Sequence, residues 1–225
     1  MRRPTAALRI ALAAAVAGAA VATGVALASG LPVTAARLTV FEATGQVPLQ
    51  TCTLTTSSAD AWVDGTLLAD GSNHGTETTM QVRSSALGDR RAFVRFDVSS
   101  CSIPAGADVK SATLQLHLQT APGASRSHDV HRVTAPWTET GVTWSSQPAV
   151  VAAATASVPT GTTSGVALGW NVRSDVQAFI AGTANNGWRV DDSAEGALTG
   201  QAGAYGTREN ATASRRPQLV ITFRP

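Results

Sequence analysis

Ala112-Thr113-Leu114-Gln115-Leu116-His117-Leu118-Gln119 carries an apolar residue at every even position and a polar one at every odd position. Period-two alternation over eight residues reads as an antiparallel strand with one face in a core and the other in water. Arg90-Arg91-Ala92-Phe93-Val94-Arg95-Phe96-Asp97 repeats the arrangement, with Ala92, Val94 and Phe96 on one face and Arg91, Phe93 and Arg95 on the other. Met80-Gln81-Val82-Arg83 is a shorter copy. If these strands are sheet neighbours, Gln81, Arg83, Arg91, Phe93, Arg95, Gln115, His117 and Gln119 share one polar face. That adjacency is an assumption, because the period does not specify which strands pair. Guanidinium groups beside an aromatic ring are costly to bury unpaired and suited to holding something anionic or sugar-like.

Working outward, strand-like runs recur at 61–63, 80–83, 92–98, 109–119, 129–133, 142–144, 166–172, 187–191 and 218–223. Turn clusters such as Asp70-Gly71-Ser72-Asn73, Pro104-Ala105-Gly106 and Asn185-Asn186-Gly187 separate them. The spacing of Val172, Val176, Phe179 and Ile180, with Gly182 as a stop signal, predicts one helix. The fold class expected is all-β: a jelly-roll-like antiparallel β-sandwich with one short helix.

The chain has 225 residues. Arg2, Arg3 and Arg9 precede an uncharged stretch from Ile10 that ends in Ala26-Leu27-Ala28, the pattern of a signal peptide over residues 1–28, and this predicts a secreted, extracellular protein. The competing reading is an uncleaved anchor, since the stretch approaches membrane-spanning length. Residues 29–52 read as a linker or leading strand, and 53–225 as the domain. Without the leader, 14 basic residues face 15 acidic ones, a net charge of −1, which argues against nucleic acid as a partner. No membrane association after cleavage and a monomeric state are expected. Thirteen of those basic residues are Arg and one is Lys110, a bias that suits GC-rich coding and also bidentate carboxylate recognition. Cys52 and Cys101 are the only cysteines, and in an exported protein they read as one disulfide.

Asp60-Ala61-Trp62-Val63-Asp64, the run from Arg91 to Asp97, Ile103-Pro104-Ala105-Gly106-Ala107, Ser111-Ala112-Thr113-Leu114, Trp137-Thr138-Glu139, Val142-Thr143-Trp144, Asn186-Gly187-Trp188, Thr207-Arg208-Glu209 and the segment from Arg216-Pro217 to Phe223 occur in this order. Together they resemble the DNRLRE domain family from about residue 53 to the C-terminus. The resemblance implies an exported bacterial β-sandwich of a kind often attached to polysaccharide-degrading enzymes or cell-surface proteins. Some members bind alginate, and others are related to disaggregatase repeats. Here the domain is expected to stand without a catalytic neighbour.

An alginate-like ligand needs guanidinium or ammonium groups spaced along a groove, amide donors for hydroxyls and a ring for the sugar face. Arg83, Arg91, Phe93, Arg95, Gln115 and His117 are therefore the expected ligand-binding residues. The alternative is that the arginines form internal bridges to Asp97, Asp64 or other carboxylates. The tryptophans, Trp62, Trp137, Trp144, Trp170 and Trp188, read as core filling. His128 and His131 face opposite ways on a regular strand and cannot chelate one ion. His74 reads as a turn residue. Asp60, Asp64, Asp191 and Asp192 could contribute to a structural calcium site, but no EF-hand loop is present, and no metal or other cofactor is expected. The chain lacks a Gly-x-Ser-x-Gly elbow, a P-loop and a His-Glu-x-x-His motif. The reading is a non-catalytic module for a polysaccharide, acidic glycans first. A structural or adhesive surface protein and a polysaccharide lyase or hydrolase are the alternatives.

Overall fold

The computed structural model describes residues 47–197 and 200–225. The expected signal peptide and most of the expected linker lie outside the described residues. Eleven strands are described: β1 (Gln50–Leu54), β2 (Ala59–Asp64), β3 (Thr79–Arg83), β4 (Arg90–Arg95), β5 (Asp108–Thr120), β6 (Ser127–Arg132), β7 (Ala156–Pro159), β8 (Val166–Asn171), β9 (Trp188–Asp192), β10 (Ala202–Gly206) and β11 (Gln218–Arg224). One helix, α1 (Arg173–Ile180), follows β8. All named pairings are antiparallel, in the order β1-β11-β5-β10-β3-β4-β9-β6-β7, with β2 on β4 and β8 on β5. The sheet curls on itself as an all-β sandwich. Ladder pairing between β3 and β4 is limited to one register pair, Arg83↔Arg90, where the sheet turns.

Alternation decides what fills the interior. Ala92, Val94 and Phe96 meet Leu114, Leu116 and Leu118 in one core, completed by Met80, Val82, Val130, Trp170, Trp188, Val190, Tyr205 and Leu219. Val176 and Phe179 of α1 close it, and Asp175 on the same helix accepts from the Trp188 indole N–H at 2.8 Å. The turn before β9 demands Gly187. Its φ is +74°, and a Cβ there would stand 2.2 Å from the Val94 carbonyl oxygen, so any other residue would force β4 and β9 apart.

Three strands escaped the period-two reading, and one expected strand is absent. β1 falls at the end of the stretch read as a linker or leading strand, as a short edge strand whose Thr51 and Thr53 are exposed. β7 is four residues long, and β10, Ala-Gly-Ala-Tyr-Gly, contains no β-branched residue. The expected strand at 142–144 is instead part of a loop. Val142 and Trp137 there turn inward against Phe93, an apolar pattern produced by a packed loop and not by a ladder. Among the described residues no helix is long and apolar enough to cross a membrane.

Two polar features brace the interior. Cys52 and Cys101 form a disulfide, tying β1 to the 3-10 turn after β4. His128 is fully buried on β6, its Nδ1 2.7 Å from the Tyr205 hydroxyl and its carbonyl accepting from the Trp170 indole at 2.9 Å. Burial pushes the Tyr205 phenol far above its ordinary value and pushes the His128 imidazole down to about 4. Both groups are therefore neutral, and one hydrogen bond joins them inside the core.

The fold makes two predictions. Replacing Cys52 and Cys101 by Ser should lower unfolding free energy by about 4 kcal/mol, the chain-entropy value for a closed loop of roughly 50 residues, read by urea titration. For His128, the unfolded imidazole protonates near pH 6.5 but the folded one only near 4. Its contribution is thus full above 6.5 and lost as pH falls toward 4. Between pH 7 and 4.5 the native protein should lose about 2–3 kcal/mol more stability than a His128→Gln variant, a comparison that cancels the other titrating groups.

Candidate functional site

The single polar face expected from the sequence is divided between two layers. β4 and β5 share a core through their even-numbered residues, so Arg91, Phe93 and Arg95 turn to one exterior while Gln115 and His117 turn to the other. Gln81 and Arg83 stand beside Ala204 and Ala202 of β10, on the β5 side of the turn in the sheet.

On the β4 side, the loop between Val133 and Val150 lies over the strand. Phe93 is fully buried among Ala59, Ala61, Val63, Val133, Trp137 and Val142, its ring 5.6 Å from that of Trp137. The expectation that Phe93 packs on a sugar ring is corrected by that burial: the ring anchors the loop. Arg91 donates from Nε and Nη2 to the two oxygens of Glu195, each at 2.6 Å, and from Nη1 to Gln147 at 2.8 Å. Its guanidinium also lies 4.4 Å from the Trp144 ring. Burial opposes its charge, but the Glu195 carboxylate outweighs that and holds Arg91 above its ordinary value.

Arg83 donates to the Gly88 carbonyl at 2.7 Å and to Thr66 Oγ1 at 3.1 Å, and it lies 3.5 Å from Asp64. Burial and neighbouring Arg90 draw its value down. Asp64 also pairs with Arg90 at 2.8 Å, while Asp97 accepts from the Ser99 N–H at the head of a 3-10 turn. Two of the three expected arginines are therefore braces for loops. Arg95 differs: it donates to the Trp137 carbonyl at 3.3 Å and lies 5.3 Å from the Trp137 ring, with no carboxylate partner among the described residues.

The β5 exterior has the opposite character. Thr113, Gln115 and His117 are half-buried, and none of their side chains has a hydrogen-bond partner among the described residues. Register places Gln115 between Gly169 of β8 and Gln218 of β11, His117 beside Ala167, and Thr113 between Asn171 and Val220. Ala167 and Gly169, the small residues beside the polar row, are exposed. The sequence reading named Gln115 and His117 and did not name Thr113, Asn171 and Gln218, which the register places beside them. Alternation was the available signal for Asn171, but pairing of β8 with β5 is a long-range fact.

Carboxylates and imidazoles gather at two other places. Asp129, His131 and Asp191 approach one another, but Arg189 pairs with Asp191, and the His131 Nδ1 lies 3.0 Å from the Val151 carbonyl. His131 and His128 do face opposite ways. Asp60, Glu139 and Glu209 form the second group. Burial pushes the Asp60 carboxyl up to about 7, with Glu209 and Glu139 adding to the rise and hydrogen bonds from Ser57 and Arg208 opposing it. His74 is more than a turn residue, since its ring stacks on Trp62 with centroids 3.7 Å apart and it pairs with Glu77. Trp62, Trp137, Trp170 and Trp188 are buried, and Trp144 is partly so.

A model of carbohydrate-binding module family 96 matches residues 51–223. No curated protein matches the chain.

Proposed function

The chain belongs to carbohydrate-binding module family 96, and from that premise we propose that it is a secreted, non-catalytic module holding a polysaccharide against the β5 exterior, with Gln115 and His117 as its central contacts. One observation carries the choice of face: among the described residues these two half-buried side chains make no hydrogen bond, although the His117 Nδ1 is itself buried, whereas Arg83 and Arg91 spend their donors on internal partners. Sugar hydroxyls both donate and accept. Amide, imidazole and hydroxyl side chains do the same, while guanidinium only donates. Binding to Gln115 and His117 breaks no existing side-chain bond, and the exposed Ala167 and Gly169 beside them raise no large side chain against a glycan.

Acidic glycans of the alginate type are the second reading, and Arg95 is the observation that favours it. Its guanidinium has no carboxylate partner among the described residues, so a sugar carboxylate would meet an uncommitted charge.

Affinity electrophoresis through gels carrying neutral glucans, alginate or pectate tests both readings. Retardation by a glycan should weaken roughly tenfold in a Gln115→Ala/His117→Ala variant, the effect of losing about two net hydrogen bonds. Arg91→Ala should leave retardation unchanged while costing about 1–3 kcal/mol of stability through the abandoned Glu195. Retardation that survives Gln115→Ala/His117→Ala removes the β5 exterior from consideration. Retardation confined to alginate or pectate and lost in Arg95→Ala selects the second reading.

A further inference from the structure

Asp60 in β2, Glu139 in the loop after β6 and Glu209 between β10 and β11 each bring a carboxylate oxygen within 4.8 Å of the other two. Asp60 is fully buried. Its Oδ2 accepts from the Ser57 hydroxyl and from the Arg208 backbone N–H at 2.9 Å, while Oδ1 has no partner. Oε2 of Glu209 is likewise buried and without a partner. A desolvated anionic oxygen is expensive to leave uncompensated, and two of them meet in this cluster.

We propose that Asp60, Glu139 and Glu209 hold a calcium ion. Oxygens sharing one calcium at about 2.3–2.6 Å stand no more than about 5 Å apart, a condition the three carboxylates meet. Charge agrees. Arg208 lies 2.9 Å from Glu209 and 3.5 Å from Glu139, so with all three acids ionised the group retains two negative charges, the match for one divalent cation. Glu139 is already held in place: its Oε1 accepts from the Asp60 N–H at 2.9 Å, and its carbonyl accepts from Asn73 at 2.8 Å. An all-oxygen donor set on three separate segments suits calcium, which tolerates irregular geometry, over magnesium or zinc. The ion would join β2, the loop after β6 and the segment before β11, a structural role independent of where a glycan binds.

Thermal unfolding and calorimetric titration with calcium chloride, on protein first stripped by a chelator, test the site. The midpoint should rise by about 5–10 °C once calcium exceeds its dissociation constant roughly 100-fold, with a saturable heat of binding. Glu209→Gln should abolish the shift while Asp129→Asn, at the other acidic group, retains it. Asp60→Asn should also abolish it; if that buried substitution prevents folding, Glu209→Gln alone decides. No shift and no heat up to about 10 mM calcium, beyond the weakest extracellular modules, overturns the proposal. A full shift surviving in Glu209→Gln, or one lost in Asp129→Asn, overturns it equally.

Discussion

The inward row Leu114, Leu116 and Leu118 is the constraint on which the remainder of the molecule depends. β5 is paired on both edges, by β11 and β10 on one side and by β8 on the other, and its three leucines are wholly buried against Trp170, Tyr205 and Leu219. A slip of one residue would carry Gln115 and His117 into that core and turn the leucines to water, an exchange costing several kcal/mol in burial alone. Register is therefore fixed by the interior. The polar row on the exterior follows from it, and so do its neighbours Gly169 and Gln218.

The same requirement explains why the β4 exterior differs. Its odd-numbered residues include Phe93, which is too large to leave bare beside Ala61 and Val63, and the loop carrying Trp137 and Val142 covers all of them. Once that loop is down, Arg91 is partly removed from water and must find a carboxylate. Glu195 supplies it, and Trp144 packs on the guanidinium. Arg126 does the same with Asp192 at 2.7 Å. The arginine bias visible in composition is thus largely absorbed by fastening connections to the sandwich.

Strand type and inward rows were legible because period-two alternation is local, and so was the helix beginning after Val172. The division of the polar row was not. Arg91 and Gln115 each have an outward position in their own strands, but whether two outward positions share an exterior depends on β3 turning the sheet at Arg83↔Arg90. Nor could alternation distinguish Val142 in a packed loop from Val142 in a strand. The internal bridges were anticipated as an alternative, with Asp64 named, yet Glu195 lies 104 residues from Arg91 and carries no local signal. Gln115 and His117 stood out for their chemistry, whereas the Ala167 and Gly169 that flank them have none.

The segments that carry the family resemblance converge on joints of the scaffold. Asp60 accepts from the Arg208 N–H, Glu139 accepts from the Asp60 N–H, the Trp137 indole donates to the Asn186 carbonyl at 2.8 Å, and Gly187 lets β9 approach Val94. These contacts are buried or half-buried, and they unite stretches separated by as many as 148 residues. Gln115, His117, Ala167 and Gly169 lie outside those stretches. The resembling segments thus supply contacts that close the sandwich, while the exterior of β5 takes part in none of these joints. None of these joints involves the β5 exterior, so a ligand has to be argued from Gln115, His117 and Arg95 themselves.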